Sequence, residues 1–285
     1  MFRFGQYDKL VEVSHRSHPQ KFGLPLLSGP LIPIALPDLS GNERKYLNEC
    51  IESNFVSTVG PFVERFEELL ATSCGSARAV ATMTGTAGLH LALLAVGVRP
   101  NDIVVVPSLS FIASANAISY CGAIPWFLDV DVESWTLDAR VLRETLSAEM
   151  EISNQGEHIH GPTKRRIAAI MPVCTLGEPP DMDEILRTAR EFSIPVVIDA
   201  SPALGATYKN LPIGNTGADL TVFSFNGNKT ITSGGGGAVV GNQSHLLDKV
   251  HHLSTTARNG RNYDHDEIGY NYRMTNLQAA VGCAQ

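Results

Sequence analysis

Short apolar runs alternate with helical patterns along most of this chain, and that alternation limits its fold more than any other sequence feature. The runs are rich in Val, Ile, Ala, Leu and Phe, and they span residues 79–84, 103–107, 125–129, 167–173, 195–199, 220–225 and 238–240. Helical spacing of apolar residues separates most of them, at 88–96, 113–120, 139–147 and 182–192. Apolar strands that alternate with helices predict an α/β fold, with a mostly parallel sheet sandwiched by helices.

Two more helices are predicted ahead of the first strand. Ser40 and Glu43 have the spacing of a capping box, which predicts a helix that starts directly after Ser40 and runs to about residue 53. A second helix is predicted over residues 61–74. Residues 149–164 are polar and predict a surface loop, in which His158 and His160 are interpreted as solvated side chains, so no metal site is predicted.

Composition excludes several classes of protein. The 285 residues include 22 Lys and Arg against 29 Asp and Glu, a net charge of −7 that argues against a nucleic-acid partner. The five cysteines are scattered without a C-x-x-C pair, which favours reduced thiols and a cytoplasmic protein. Prolines interrupt the apolar residues 22–36, so we predict no membrane segment and interpret residues 1–36 as an extended N-terminal arm.

Chemically active residues follow several predicted strands. In open α/β sheets, ligands bind outside the carboxyl ends of the strands. A Gly-Thr-Ala turn at Gly85 follows the first strand and leads into a helix, Phe111 follows the second strand, Asp199 ends the fifth, and Lys229 follows the sixth. A phosphate cradle, an aromatic ring, a carboxylate and an amine at one sheet edge suit a phosphorylated aromatic aldehyde. The P-loop and dinucleotide fingerprints are both absent from these turns.

These motifs resemble those of the DegT/DnrJ/EryC1/StrS family of pyridoxal-phosphate (PLP) sugar aminotransferases, which have the aspartate-aminotransferase fold (fold type I). The resemblance runs in order from about Ile34 to Gln285. It rests on the segments 85–87, 107–111, 129–131, 198–200, 223–229, 233–237 and 269–274. The sequences of residues 55–60 and 224–229 are most similar to those of members that act on nucleotide-linked 4-keto-6-deoxy sugars, such as those used for legionaminic acid or perosamine.

The resemblance implies two catalytic residues. Lys229 forms the Schiff base with the PLP aldehyde and then acts as the base that moves a proton. Asp199 pairs with the pyridine nitrogen, and Phe111 stacks on the ring. Relatives with His in place of this lysine carry out dehydrations, so Lys229 favours transamination.

The resemblance also implies residues that hold the phosphate. Thr86, Ala87 and Ser224 bind it through hydroxyl and N–H donors. Asn271 reaches the phosphate of the neighbouring subunit, which implies a homodimer with shared active sites.

The resemblance also concerns residues that contact the phenolate oxygen of PLP and residues that contact the substrate. Pro202 stands where the family commonly has Gln, so the contact with the phenolate oxygen is lost or passes to Ser201. Cys174 likewise stands where the family commonly has His. The remaining residues implied by the resemblance are substrate contacts, at Val56, Ser57 and Arg273.

The resemblance implies an aminotransferase that makes a 4-amino sugar nucleotide, with glutamate as the donor, for polysaccharide or glycan biosynthesis. Two alternatives stay open: a PLP-dependent sugar dehydratase of the same family, and a non-catalytic protein that binds PLP or a sugar nucleotide. We expect residues 37–255 to form the large PLP-binding domain and residues 256–285 to begin a small C-terminal domain. Because relatives typically continue further, the expectation is a chain truncated at its C-terminus.

Overall fold

Helices and strands alternate through residues 35–260 and 262–285, which are the residues that the computed structural model of this protein describes. The helices are α1 Glu43–Glu52, α2 Pro61–Cys74, α3 Gly85–Ala95, α4 Ile112–Tyr120, α5 Ala139–Glu149, α6 Met182–Glu191, α7 Ser244–Ser254 and α8 Asn276–Ala284. The strands are β1 Arg78–Thr82, β2 Ile103–Pro107, β3 Ile124–Leu128, β4 Met150–Ile152, β5 His158–His160, β6 Arg165–Ile170, β7 Val197–Asp199, β8 Thr207–Tyr208, β9 Leu211–Pro212, β10 Leu220–Ser224, β11 Gly237–Gly241, β12 Arg258–Asn259 and β13 Asp264–His265. The predicted N-terminal arm, residues 1–36, lies almost entirely outside the described residues.

Seven strands cross the central sheet in the order β3, β2, β6, β7, β10, β11, β1. Strand β2 pairs in parallel with β3 and β6, and β7 pairs in parallel with β10. Parallel bridges from Ile170 to Val196 and from Val173 to Asp199 join the two halves. Of these seven strands, β11 runs antiparallel to its neighbours β1 and β10. The sheet is therefore mostly parallel, as the sequence predicts.

Neighbouring residues of the sheet strands contribute to two separate apolar layers. On β2, Val105 packs in a layer with side chains of α1, α2, α5, α6 and α8. Val104 and Val106 belong to the layer that contains α3, α4 and α7. Because successive strand side chains point to opposite faces, helices cover both sides of the sheet. This confirms the prediction of an α/β fold.

The polar segment 149–164 is ordered differently from the prediction. It contains strands β4 and β5, which pair antiparallel with each other, and β5 also pairs antiparallel with β6. His160 is buried; its Nε2 lies 2.8 Å from Oε2 of Glu149 and its Nδ1 lies 2.8 Å from Oγ1 of Thr163. The prediction of a solvated loop is wrong here because cross-strand pairing and a satisfied histidine stabilise a hairpin.

Two helix starts also differ from the sequence prediction. Helix α1 begins at Glu43 without the capping box, since its N-cap is Asn42 and no side chain caps it. The Glu43 side chain is buried instead, and its Oε1 accepts a hydrogen bond from Nε2 of Gln285 at 2.7 Å. Helix α3 begins at Gly85, three residues before the predicted start, because Oγ1 of Thr84 accepts the N–H of Ala87.

The C-terminal helix α8 packs against α1 and α2, and Ala35–Gln285 form one compact unit. The domain boundary expected between residues 255 and 256 stays a prediction. Among the described helices, none has the length and apolar character needed to cross a membrane.

Candidate active site

A cavity of about 740 Å³ lies at the carboxyl end of the parallel strands. Its walls come from the segments that follow β1, β2, β7 and β10, together with the residues around Cys174. Six of the residues predicted from sequence line this cavity: Thr86, Phe111, Asp199, Ser201, Ser224 and Lys229. The topology therefore brings together side chains that are up to 143 residues apart in the chain (229 − 86).

Asp199 is the last residue of strand β7, and it is 4% exposed. Its Oδ2 accepts a hydrogen bond from the Ser114 hydroxyl at 2.6 Å, and its Oδ1 accepts the Ser201 N–H at 3.1 Å. A buried carboxylate is stable only when such donors satisfy it. Sequence reasoning missed Ser114, because no local pattern shows that a helical serine meets a strand end 85 residues away.

Cys174 lies beside this carboxylate in the cavity wall. Its backbone N–H donates to the carbonyl oxygen of Asp199 at 2.9 Å. Burial of the thiol, together with the negative charge of Asp199, raises the pKa of Cys174 far above its ordinary value. The side chain is therefore a neutral thiol at pH 7 and not a nucleophile.

The start of α3 forms a cradle for an anion. Thr84 caps the helix, so the N–H of Ala87 donates to Oγ1 of Thr84 at 3.0 Å, and Ala87 does not line the cavity. Thr86 does line it, at the end of the helix where backbone N–H groups and the helix dipole favour negative charge. Gly85 leaves room for the close approach of Ser224, since a Cβ at residue 85 would lie 2.8 Å from the Ser224 Cβ.

Lys229 lies on a loop whose two ends are joined by backbone hydrogen bonds. The N–H of Phe225 donates to the Gly236 carbonyl at 3.0 Å, and the N–H of Ser233 donates to the Phe225 carbonyl at 2.9 Å. Within the loop, the N–H of Lys229 donates to the carbonyl of Asn226 at 3.0 Å. No carboxylate of the described residues forms an ion pair with the Lys229 amine, so that amine is available to a ligand in the cavity.

Exposed apolar side chains contribute to the cavity lining, and they include Phe111, Trp135 and Leu176. Phe111 is the N-cap of α4 and is 77% exposed. Trp135 and Leu176 are also exposed, and both have left-handed backbone conformations, with φ of 59° and 54°. Strained backbone at a cavity rim is typical of a functional site. No local sequence pattern marks Trp135 or Leu176 as part of a site.

Besides Ala87, four residues implied by the resemblance lie outside the lining of this cavity: Val56, Ser57, Asn271 and Arg273. The carbonyl of Ser57 accepts the N–H of Asn276 at 2.6 Å. The guanidinium of Arg273 lies 3.5 Å from Oε1 of Glu67, and Asn271 is exposed next to Thr255. One chain thus brings together six of the eight predicted cofactor residues but none of the predicted substrate contacts.

The described residues also include a grouping of His252, Asp266 and Glu267, none of which lines the cavity. Nε2 of His252 lies 2.7 Å from Oδ1 of Asp266. Lys249 pairs with Glu267, so the acidic charge of this group already has a cationic partner.

The fold and the cavity define an α/β protein whose ligand site combines an anion cradle, a buried carboxylate and an amine. The family model described as the DegT/DnrJ/EryC1/StrS aminotransferase family matches residues 37–285. The chain belongs to this family.

Comparison with individual proteins gives the same result. The chain is 43% identical to the GDP-perosamine synthase of Caulobacter vibrioides over 257 residues, which cover 90% of this chain and 64% of that protein. It is 37% identical to the putative pyridoxal phosphate-dependent aminotransferase EpsN of Bacillus subtilis, over 89% of this chain and 63% of that protein. The crystal structure of 3-amino-5-hydroxybenzoic acid synthase is similar, with a TM-score of 0.80 and 30% identity over 90% of this chain and 63% of that one. The chain thus spans slightly less than two thirds of the relatives that it matches.

Proposed function

We propose that this protein is a PLP-dependent aminotransferase that converts a nucleotide-linked 4-keto-6-deoxy sugar into the 4-amino sugar. Glutamate is the proposed amino donor, and the product serves polysaccharide or glycan biosynthesis. The observation that carries the proposal is the cavity in which the Lys229 amine and the Asp199 carboxylate meet the start of α3. The family membership and the similarity to a GDP-perosamine synthase support it and favour a GDP-linked substrate.

The residues of the cavity fit PLP. The hydroxyl of Thr86 and the start of α3 suit a phosphate, and Gly85 keeps the cradle open where a Cβ would meet Ser224. The Asp199 carboxylate suits a protonated ring nitrogen. The Lys229 amine suits an aldehyde, and the exposed ring of Phe111 suits an aromatic face.

In the proposed mechanism, each protein group has one task. PLP, when bound, supplies an electron sink for the carbon that loses a proton. Nζ of Lys229 accepts the proton from Cα of glutamate and later delivers a proton to C4 of the sugar. Asp199, held by Ser114 and Ser201, keeps one orientation, and Phe111 offers an aromatic face to the ring.

We also propose a cytoplasmic homodimer with shared active sites. Asn271 is exposed and does not line the cavity of its own chain, which suits a contact with the phosphate in the neighbouring subunit. Val56, Ser57 and Arg273 are proposed as substrate contacts. All five cysteines are free thiols, as is usual in a reducing compartment.

Transfer of labelled nitrogen tests the proposed reaction. The full chain is incubated with PLP, nitrogen-15 glutamate and a GDP-linked 4-keto-6-deoxy sugar, and the sugar product is analysed by mass spectrometry. The proposal predicts a sugar that carries the label. Loss of a sugar hydroxyl without gain of nitrogen would identify a dehydratase, and PLP binding without either product would identify a non-catalytic binding protein.

A further inference from the structure

Two serines of helix α4 use their hydroxyls in different ways. Oγ of Ser119 donates to the carbonyl of Ala115, four residues earlier, at 3.1 Å. This is the ordinary behaviour of a serine inside a helix. Ser114 is fully buried, and its hydroxyl instead donates to Oδ2 of Asp199 at 2.6 Å. Its hydroxyl is therefore directed across the structure to the carboxylate of the cavity.

The hydrogen bond has a defined direction, and a second serine continues it. A carboxylate only accepts, so the single hydroxyl proton of Ser114 is committed to Asp199. Oγ of Ser110 lies 2.7 Å from Oγ of Ser114, closer than its 3.0 Å contact with the Phe111 carbonyl. Ser110 must then be the donor to Ser114. We call Ser110 and Ser114 the serine relay.

The serine relay restricts the terminal side-chain torsion of Asp199, which sets the plane of the carboxylate. The terminal torsion of an Asp side chain has a broad energy minimum, so packing alone fixes it poorly. In this site the Ser201 N–H holds Oδ1 and the Ser114 hydroxyl holds Oδ2. One donor on each oxygen sets the carboxylate plane, and an acceptor position on each oxygen stays free for a ligand.

The serine relay also joins two walls of the cavity. Ser110 lines the cavity next to Phe111, whereas Asp199 ends strand β7 in another part of the wall. A continuous chain of hydroxyls therefore links the segment that carries Phe111 to the carboxylate. Such a chain is stronger when all of its members are satisfied.

We infer that Ser114 is a positioning residue that, with Ser110, aligns Asp199 for the ring nitrogen of the cofactor. The inference rests on the proposed function, because it gives Asp199 a PLP partner. It predicts that loss of the Ser114 hydroxyl weakens PLP binding about tenfold, the effect expected for a hydrogen bond to a charged group. Loss of the Ser110 hydroxyl, which breaks the outer link alone, has a smaller effect.

A matched pair of variants tests this inference. Ser114→Thr and Ser114→Val have the same shape, but only the first keeps a hydroxyl, and Ser119→Ala is the control on the same helix. PLP affinity of the full chain is measured by titration of the visible absorption, and visible circular dichroism reports the setting of the bound ring. The PLP affinities of Ser114→Thr and Ser119→Ala are expected within about twofold of the wild type. Ser114→Val is expected to bind PLP about tenfold more weakly and to show an altered dichroic band.

Equal affinities and equal dichroic bands for the Thr and Val variants would overturn the inference. If both fail to fold, Ser110→Ala at its partly exposed position is decisive, and wild-type affinity in that variant overturns the inference. A wild-type chain that binds no PLP would contradict the proposed function itself. Normal PLP binding in all variants contradicts only the role of the serine relay.

Discussion

The side-chain oxygen of Asn276 accepts a hydrogen bond from the backbone N–H of Phe62 at 2.9 Å, and this bond ties α8 to the first turn of α2. The same buried side chain donates from Nδ2 to the Phe55 carbonyl at 2.8 Å. Its backbone N–H donates to the Ser57 carbonyl at 2.6 Å. One residue of α8 therefore fixes the loop that carries two of the proposed substrate contacts, Val56 and Ser57.

Replacing Asn276 with Ala should destabilise the fold. The change leaves the buried Phe62 N–H and the partly buried Phe55 carbonyl without their partners, which costs about 2–4 kcal/mol of unfolding free energy. Urea denaturation measures this loss. Asn48→Ala on the exposed face of α1 is the control and should change stability by less than about 0.5 kcal/mol. Equal effects of the two substitutions would show that the Asn276 bonds add nothing to stability.

Replacing Gly85 with Ala should weaken PLP binding. The new Cβ would lie 2.8 Å from the Cβ of Ser224, so one wall of the anion cradle must move. Overpacking of this size corresponds to a loss of about tenfold in affinity, measured by titration with PLP. Gly227→Ala is the control, because a Cβ there meets nothing within 4 Å. A Gly85→Ala variant with unchanged affinity would remove the cradle from the proposed site.

His90 should make the fold sensitive to acid. It is 3% exposed, neither ring nitrogen has a partner among the described residues, and burial lowers its pKa from the ordinary value of 6.5. The unfolded chain therefore binds a proton that the folded chain resists, so stability is retained above pH 6.5 and falls as the pH drops below it. His90→Leu should reduce the stability lost between pH 7.5 and 5.5 by up to about 1.4 kcal/mol.

Chemical denaturation at the two pH values provides this measurement, with His245→Gln at an exposed position as the control. The control should show the same pH dependence as the wild type. A His90→Leu variant that loses as much stability on acidification as the wild type would refute the assignment.

Mixed dimers test the shared active site. Lys229→Ala and Asn271→Ala variants should each have little aminotransferase activity alone. A heterodimer of the two has one site with both native residues if Asn271 serves the neighbouring subunit. Co-expression should then restore up to about a quarter of wild-type activity. An absence of recovery in dimers of confirmed mixed composition would place Asn271 in the site of its own chain or in neither.

Local sequence signals predict much of this fold. Strand β2 has the predicted bounds because four apolar residues lead to a proline. Helix α2 has its predicted bounds because Pro61 begins it and Gly75, with φ of 63°, ends it. The hairpin of β4 and β5 was missed because its stability comes from β6 and from the contact of His160 with Glu149, none of which is local.

The residues of the candidate site also fall into those that local sequence signals predict and those that only tertiary packing reveals. Lys229, Asp199, Thr86 and Phe111 end or follow strands, so the topology of the sheet alone brings them to one edge. Ser114 meets Asp199 only through tertiary packing, which periodicity does not encode. Ala87 was expected to bind phosphate, but Thr84 takes its N–H, a competition that only the geometry of the helix start reveals.

The most direct test of the account is the identity of the residue that holds the cofactor. The full chain is saturated with PLP, reduced with borohydride, digested and mapped by mass spectrometry, with Lys229→Ala and the exposed Lys209→Ala treated in parallel. We expect the phosphopyridoxyl group on Lys229 in the wild type and in Lys209→Ala, and no specific attachment in Lys229→Ala. Attachment to another lysine, or equal labelling of the Lys229→Ala variant, would contradict the central claim.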